Sequence, residues 1–313
     1  MAKVAFIYAG QGAQYAGMGK DLYQNYKEAA KIFEIANESI GFDIARLCFE
    51  GPDEELMKTE NTQPAVLTMS IACLKVLESR GFSPDVAAGL SLGEYSALVN
   101  AGALRFEDAV PLVKLRGKLM QETVPLGKGG MAAIIGLTNE AVVDTCKEAS
   151  AYGVVEPANF NCPGQITIAG EIKALEKAIE IAKEKGAKRA IMLPVSAPFH
   201  CSMLKPAGEK LEEALDKIEF SDLKLPVISN VNARYIMDKS EIKNLLVRQV
   251  YSSVLWEATI ERMIQDGVDV FVELGPGKTL SGFIKKIDKT KMSLHVEDMG
   301  SLEETLKALE DLK

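Results

Sequence analysis

The residues of this chain best suited to acyl chemistry lie in a short glycine-flanked turn, Gly89-Leu90-Ser91-Leu92-Gly93. A G-x-S-x-G turn does this chemistry when a strand runs into it and a helix leaves it. The glycines allow a tight bend, the serine oxygen is pushed outward, and the helix N-terminus offers main-chain N–H groups to an oxyanion. Both flanks are present: residues 85–89 read as a short buried strand, and a helix begins near Leu92. The competing reading is structural, because Ser91 and Glu94 also have capping-box spacing.

A serine nucleophile needs a base, usually histidine. The chain has two histidines, His200 and His295. His295 lies inside a short apolar segment and reads as a packed or edge strand residue. His200 follows a strand and Pro198 and precedes a helix, which puts it on a loop, where functional groups concentrate. His200 is therefore the candidate base. Cys201 beside it is a rival nucleophile, but consecutive side chains usually diverge. Two glycine-rich loops mislead. Gly10-Gln11-Gly12 has Tyr15 where a dinucleotide loop needs its third glycine, and the Gly277-Lys278-Thr279 segment has Val272 where a P-loop needs its first.

The elements that must position these groups alternate. Residues 4–8, 85–89, 226–230, 269–274 and 294–296 read as strands; 24–38, 62–80, 107–124, 202–218, 241–249, 256–266 and 300–312 read as helices, and another starts at Pro276. This predicts an α/β fold with a parallel sheet. The middle has another rhythm: strand 131–137, helix 140–149, strand 154–160, a turn at 161–164, strand 165–169, helix 172–185 and strand 189–195. The order β-α-β-β-α-β is the ferredoxin-like signature. The expected organisation is a discontinuous large domain, 1–126 and 197–313, interrupted by a small domain at 127–196.

Composition narrows the function. Lys plus Arg is 36, Asp plus Glu is 44, and the net charge is −8, which argues against a general nucleic-acid or anionic-membrane binder. The five cysteines are odd in number, lack C-x-x-C spacing and accompany only two histidines. That predicts reduced thiols, no metal centre and a cytoplasmic protein. The N-terminal apolar run is too short for a signal peptide, and no run approaches the ~20 residues of a membrane span.

Four stretches together resemble one family. They are Tyr8-Ala9-Gly10-Gln11-Gly12-Ala13-Gln14, Gly89 to Leu98, Ser196-Ala197-Pro198-Phe199-His200, and Glu273-Leu274-Gly275-Pro276-Gly277-Lys278. In this order they resemble the malonyl-CoA:acyl carrier protein transacylases of type II fatty-acid synthesis. The resemblance runs from residue 8 to 278 and implies an α/β-hydrolase-like large domain with an inserted ferredoxin-like domain. It implies Ser91 as nucleophile, His200 as base, an oxyanion hole from the main-chain N–H groups of Gln11 and Leu92, and Arg116 on the malonyl carboxylate. Gln249 matches the position whose main-chain carbonyl orients the histidine. Malonyl-CoA and acyl carrier protein are the implied partners, with no metal or redox cofactor, and a monomer is expected. One departure is Leu90, where many members have histidine; it implies a changed pocket lining.

By itself Arg116, between Lys114 and Lys118, reads as part of a solvated basic face. The acidic balance also sets a problem, since CoA and a typical carrier protein are anionic. Two basic clusters are candidate docking points: Lys185, Lys188 and Arg189, and Lys285, Lys286, Lys289 and Lys291. Rival functions are a G-x-S-x-G thioesterase, a stand-alone acyltransferase serving a polyketide synthase, and a non-enzymatic binding module.

Overall fold

The computed structural model describes residues 2–195 and 197–312. It is a mixed α/β structure with two separate sheets. The first is parallel, in the order β2-β1-β7-β8, formed by β1 (Lys3–Tyr8), β2 (Val86–Gly89), β7 (Val268–Leu274) and β8 (Met292–Val296). Its inner strands are apolar because helices cover both faces. Phe6, Tyr8, Val272 and Leu274 pack into one core, while Ala5, Ile7, Phe271 and Trp256 pack into another.

The second sheet is antiparallel, in the order β4-β5-β3-β6, formed by β3 (Gly129–Ile135), β4 (Val155–Cys162), β5 (Gln165–Glu171) and β6 (Arg189–Met192). The helices Asn139–Ala149 and Ile172–Glu184 pack on it around Ile134, Ile166, Ile168 and Leu175.

Register positions the site. Tyr8 pairs with both Gly89 and Leu274, so β1, β2 and β7 end at one level. Their following loops carry Gly10-Gln11, Leu90-Ser91 and Gly275–Lys278 to one edge. The carboxyl ends of parallel strands are where α/β sheets bind ligands. The antiparallel sheet meets this edge through β4, where Phe160 N–H donates to Val254 O at 3.0 Å and Val254 N–H to Ala158 O at 2.8 Å.

Some expectations need correction. Residues 226–230 do not form a strand but make isolated bridges, Val227 to Ala87 and Ile228 to Tyr235, because Pro226 begins the segment and the chain turns back after Asn230. The 24–38 helix is two, Lys20–Asn25 and Lys27–Ile40, broken at the extended residue Tyr26. The 202–218 helix starts as a short 3-10 turn and ends at Leu215. The last helix of the glycine-lysine segment starts at Thr279 rather than Pro276. Helices Ile44–Glu50 and Asp53–Leu56 were unforeseen, being too short to show a period.

Candidate active site

The serine turn is forced by close approach. A Cβ on Gly89 would stand 1.9 Å from the Gly93 carbonyl carbon, and one on Gly93 would stand 2.2 Å from Tyr8 O. Only glycine permits the helix Leu92–Asn100 to start this near β1 and β2. Ser91 is held at φ 54°, ψ −101°, a conformation L-residues rarely adopt. The capping-box alternative fails, because the Ser91 side chain makes no capping hydrogen bond.

Ser91 Oγ lies 2.7 Å from His200 Nε2, and His200 Nδ1 lies 2.8 Å from the main-chain O of Gln249. A carbonyl only accepts, so Nδ1 carries the proton and Nε2 presents its lone pair to the serine hydroxyl. His200 also has a positive φ, 62°. Burial, and then the nearby Arg116 charge, push its pKa down to about 3, so it stands as a neutral base. Its loop is pinned by Cys201 packing with Met131, Ala158 and Ala169 of the antiparallel sheet. Cys201 Sγ itself points to Pro198 O at 3.2 Å, and burial pushes its thiol up to about 12, so it is not a nucleophile. Ser196, in the same stretch, lies outside the described residues.

Arg116 is not on a solvated face. It is 1% exposed, on the inner side of the helix Phe106–Glu122, whereas Lys118 is exposed. Its Nη1 donates to Gln63 Oε1 at 2.8 Å; its Nη2 donates to Ser91 Oγ at 3.0 Å and Gln249 Oε1 at 2.9 Å. Its guanidinium lies 5.3 Å from the Tyr95 ring centre. The three acceptors are all neutral, so the guanidinium is partnered but not charge-paired by contact. A substrate without a carboxylate would thus leave it with amide partners, not bare.

Among the described residues the main-chain N–H groups of Gln11 and Leu92 find no acceptor in the protein. Both residues line the cleft that holds Ser91, a space of about 260 Å³. Leu90 lines it as well, as does Phe199. The antiparallel sheet supplies Asn159, Asn161 and Thr167 to its wall. His295 stands away on β8, 3.7 Å from Glu297. No group of three or more His, Cys, Asp or Glu among the described residues could hold a metal.

Four participants escaped the sequence reading. Asn230 accepts from Ser91 N–H at 2.6 Å and donates to Gly89 O at 2.8 Å, tying both sides of the bend. Glu94 is fully buried and accepts from Asn230 N–H and Gln249 Nε2. Gln63 holds Arg116. Glu273 lines the cleft and receives the Leu280 and Ser281 N–H groups at 3.0 and 2.7 Å; burial raises its pKa to about 7. The only sequence signals were Glu94 directly after the serine turn and Glu273 opening the stretch that ends at Lys278.

Comparison with known proteins shows the family. The acyl transferase domain family matches residues 5–304. The chain belongs to the acyl transferase family. A malonyl CoA-acyl carrier protein transacylase from Bacillus subtilis is 48% identical over 312 residues, 99% of this chain and 98% of that protein. The crystal structure of a malonyl CoA-acyl carrier protein transacylase from Clostridium perfringens superposes with a TM-score of 0.97 at 52% identity, covering 99% of this chain and 98% of that one. A malonyl-transacylase in complex with its type II PKS acyl-carrier protein superposes at 0.96 and 44% identity, over 98% of this chain and 100% of that one.

Proposed function

We propose that this acyltransferase moves a malonyl group from malonyl-CoA to the phosphopantetheine thiol of acyl carrier protein, through a malonyl-Ser91 intermediate, for fatty-acid synthesis. The observation that carries this reading is the buried Arg116 guanidinium 3.0 Å from the same Ser91 oxygen that His200 can deprotonate. A planar guanidinium can make two parallel bonds to a carboxylate. The names of the relatives supply the same substrate and acceptor.

His200 Nε2 takes the Ser91 proton as Oγ attacks the thioester carbonyl. The N–H groups of Gln11 and Leu92 hold the developing oxyanion. The C–S bond breaks, and His200 returns its proton to the CoA sulfur. The carrier thiol then attacks the malonyl ester with His200 again as base, and Ser91 recovers its proton. No electrons change hands, so the reaction needs no redox cofactor, and proton transfer through His200 needs no metal. Gln249 O holds His200 in place of a carboxylate, which makes a Ser–His dyad. Arg116 exchanges its contact with Ser91 Oγ for the malonyl carboxylate.

The fold reading is finer than the two-sheet description. In it the parallel sheet with Ser91 after a strand is α/β-hydrolase-like. The antiparallel order β4-β5-β3-β6 with two helices is ferredoxin-like, inserted as 127–196 between 1–126 and 197–313. The working unit in this reading is a monomer. None of the described helices is long and apolar enough to cross a membrane, and we assign the protein to the cytoplasm.

Lys286 of one basic cluster and Arg189 of the other reach the same face of the antiparallel sheet. Lys286 Nζ donates to Gln165 Oε1 at 2.8 Å, and Gln165 and Arg189 both pair with Ile135 across β3. Lys185 and Lys291 are held by Glu148 and Asp269 at 2.8 Å, which leaves Lys188, Arg189, Lys285 and Lys289 exposed for an anionic carrier protein. Supplying malonyl-CoA with and without holo carrier protein tests the function. Malonyl-carrier protein should form; rapid free malonate without carrier would make it a thioesterase instead.

A further inference from the structure

Glu94, Gln249 and Arg116 form a buried relay. Arg116 Nη2 donates to Gln249 Oε1 at 2.9 Å, and Gln249 Nε2 donates to Glu94 Oε2 at 2.6 Å and to Ser91 O at 2.9 Å. Glu94, Arg116 and Gln249 are each 0 or 1% exposed. The cation and the carboxylate therefore stand on opposite ends of one amide, which fixes the amide's orientation. The same residue, Gln249, holds His200 through its main chain.

A buried guanidinium with no anion nearby is costly, yet a direct ion pair would occupy the group that must take the substrate carboxylate. The amide answers both demands. It passes the carboxylate's field to Arg116, since a bond to Nε2 makes Oε1 a stronger acceptor. It also keeps Glu94 out of the guanidinium's binding edge. Burial pushes the Glu94 carboxyl up, against the Asn230 N–H, the Gln249 amide, the Ser229 hydroxyl and the Arg116 charge that pull it down. The Tyr95 ring and Arg116 are its charged or titratable surroundings, and His200 lies beyond Gln249.

We infer that Glu94 is a positioning residue for the transfer, an acceptor that acts through the Gln249 amide to aim Arg116 at the malonyl carboxylate. This rests on the roles proposed above for Ser91, His200 and Arg116. Glu94 touches no reacting atom. It orders the Gln249 amide, and the amide orders the Arg116 edge that meets the carboxylate. Binding of a malonyl substrate should therefore respond, and binding of one without a carboxylate should not.

The test uses wild-type protein, Glu94→Gln and Gln249→Met. Rapid-quench acylation with malonyl-CoA gives binding and maximal rate, and acetyl-CoA as competitor gives the binding of a substrate lacking the carboxylate. For Glu94→Gln, malonyl-CoA should bind several-fold more weakly while acetyl-CoA binding stays within about twofold, so that malonyl-over-acetyl discrimination falls. Equal changes for both thioesters, or none, overturn the proposal. If Glu94→Gln does not fold, Gln249→Met decides. It keeps the carbonyl for His200 but cuts the amide, and malonyl-over-acetyl discrimination should drop at least about tenfold; unchanged discrimination overturns the proposal. A wild-type protein that never acquires malonyl on Ser91 would overturn the underlying site reading instead, so the two failures are separable.

Discussion

The main-chain carbonyl of Gln249 accepts a hydrogen bond from His200 Nδ1–H at 2.8 Å, at the place where many serine enzymes put a carboxylate. A main-chain acceptor cannot be deleted by substitution, and it brings no charge to the imidazole. The base is set by burial and by Arg116, and its chemistry follows from that.

Replacing Arg116 by Lys should slow malonyl acylation more than acetyl acylation and so lose selectivity. Lysine is a point charge and cannot make the two parallel bonds. Loss of one charge-assisted bond, about 1.5–3 kcal/mol, should cut the malonyl-to-acetyl ratio of kcat/KM by about tenfold to a hundredfold. Competition between the two thioesters, read by intact mass, measures this; an unchanged ratio would remove Arg116 from carboxylate recognition.

The pH dependence has a defined sign at His200. Its pKa falls from 6.5 to about 3 on folding, so as pH drops through 6.5 the unfolded chain gains a proton that the folded one refuses. The stability from burying neutral His200 is complete above about pH 6.5 and is lost towards pH 3, with a slope approaching ~1.4 kcal/mol per pH unit. Glu273 runs the other way: its pKa rises from 4.5 to about 7, so its contribution is present below 4.5 and lost as pH rises to 7. Urea unfolding of wild type, His200→Gln and Glu273→Gln at several pH values separates them. His200→Gln should flatten the acid slope, and an unaltered slope would contradict a neutral buried base.

The serine turn sets a packing prediction. Gly93→Ala would drive a methyl into Tyr8 O, where a Cβ would stand at 2.2 Å, and should cost at least about 3 kcal/mol. Gly282, inside the helix Thr279–Ile287 with nothing within 4 Å of its Cβ position, is the control; Gly282→Ala should stabilise by about 0.5–1 kcal/mol. Denaturant midpoints read both. Equal, small effects would deny that close approach shapes the turn.

Charge reversal on the basic side tests docking. Lys188→Glu with Lys285→Glu should leave the acylation half-reaction intact and slow transfer to carrier protein, with a weaker salt dependence. Normal transfer would move the docking surface elsewhere.

What was legible in the sequence was what local rules govern. The strand into Gly89 and the helix from Leu92 could be read because period, glycine spacing and length all agreed. Ser91 and His200 stood out by residue type, and the structure brings them to 2.7 Å. Arg116 was not legible from its neighbours: Lys114 and Lys118 suggested a wet face, and only packing against Gln63, Tyr95 and Gln249 shows it buried. Glu94 had capping-box spacing, so its sequence position pointed to the helix end, whereas its carboxylate reaches Gln249, 155 positions away. Asn230 failed for the same reason, since its partners Ser91 and Gly89 come from β2 and its bend. Long-range polar contacts leave no period in a chain.

The central claim is a covalent malonyl ester on Ser91. Intact-protein mass spectrometry after brief exposure to malonyl-CoA, followed by peptide mapping, tests it most directly. Wild-type protein should gain one malonyl group on the peptide carrying Ser91 and lose it on addition of holo carrier protein, and Ser91→Ala should gain none. An adduct that persists in Ser91→Ala, or wild-type protein that transfers malonyl without ever carrying it, would contradict the account.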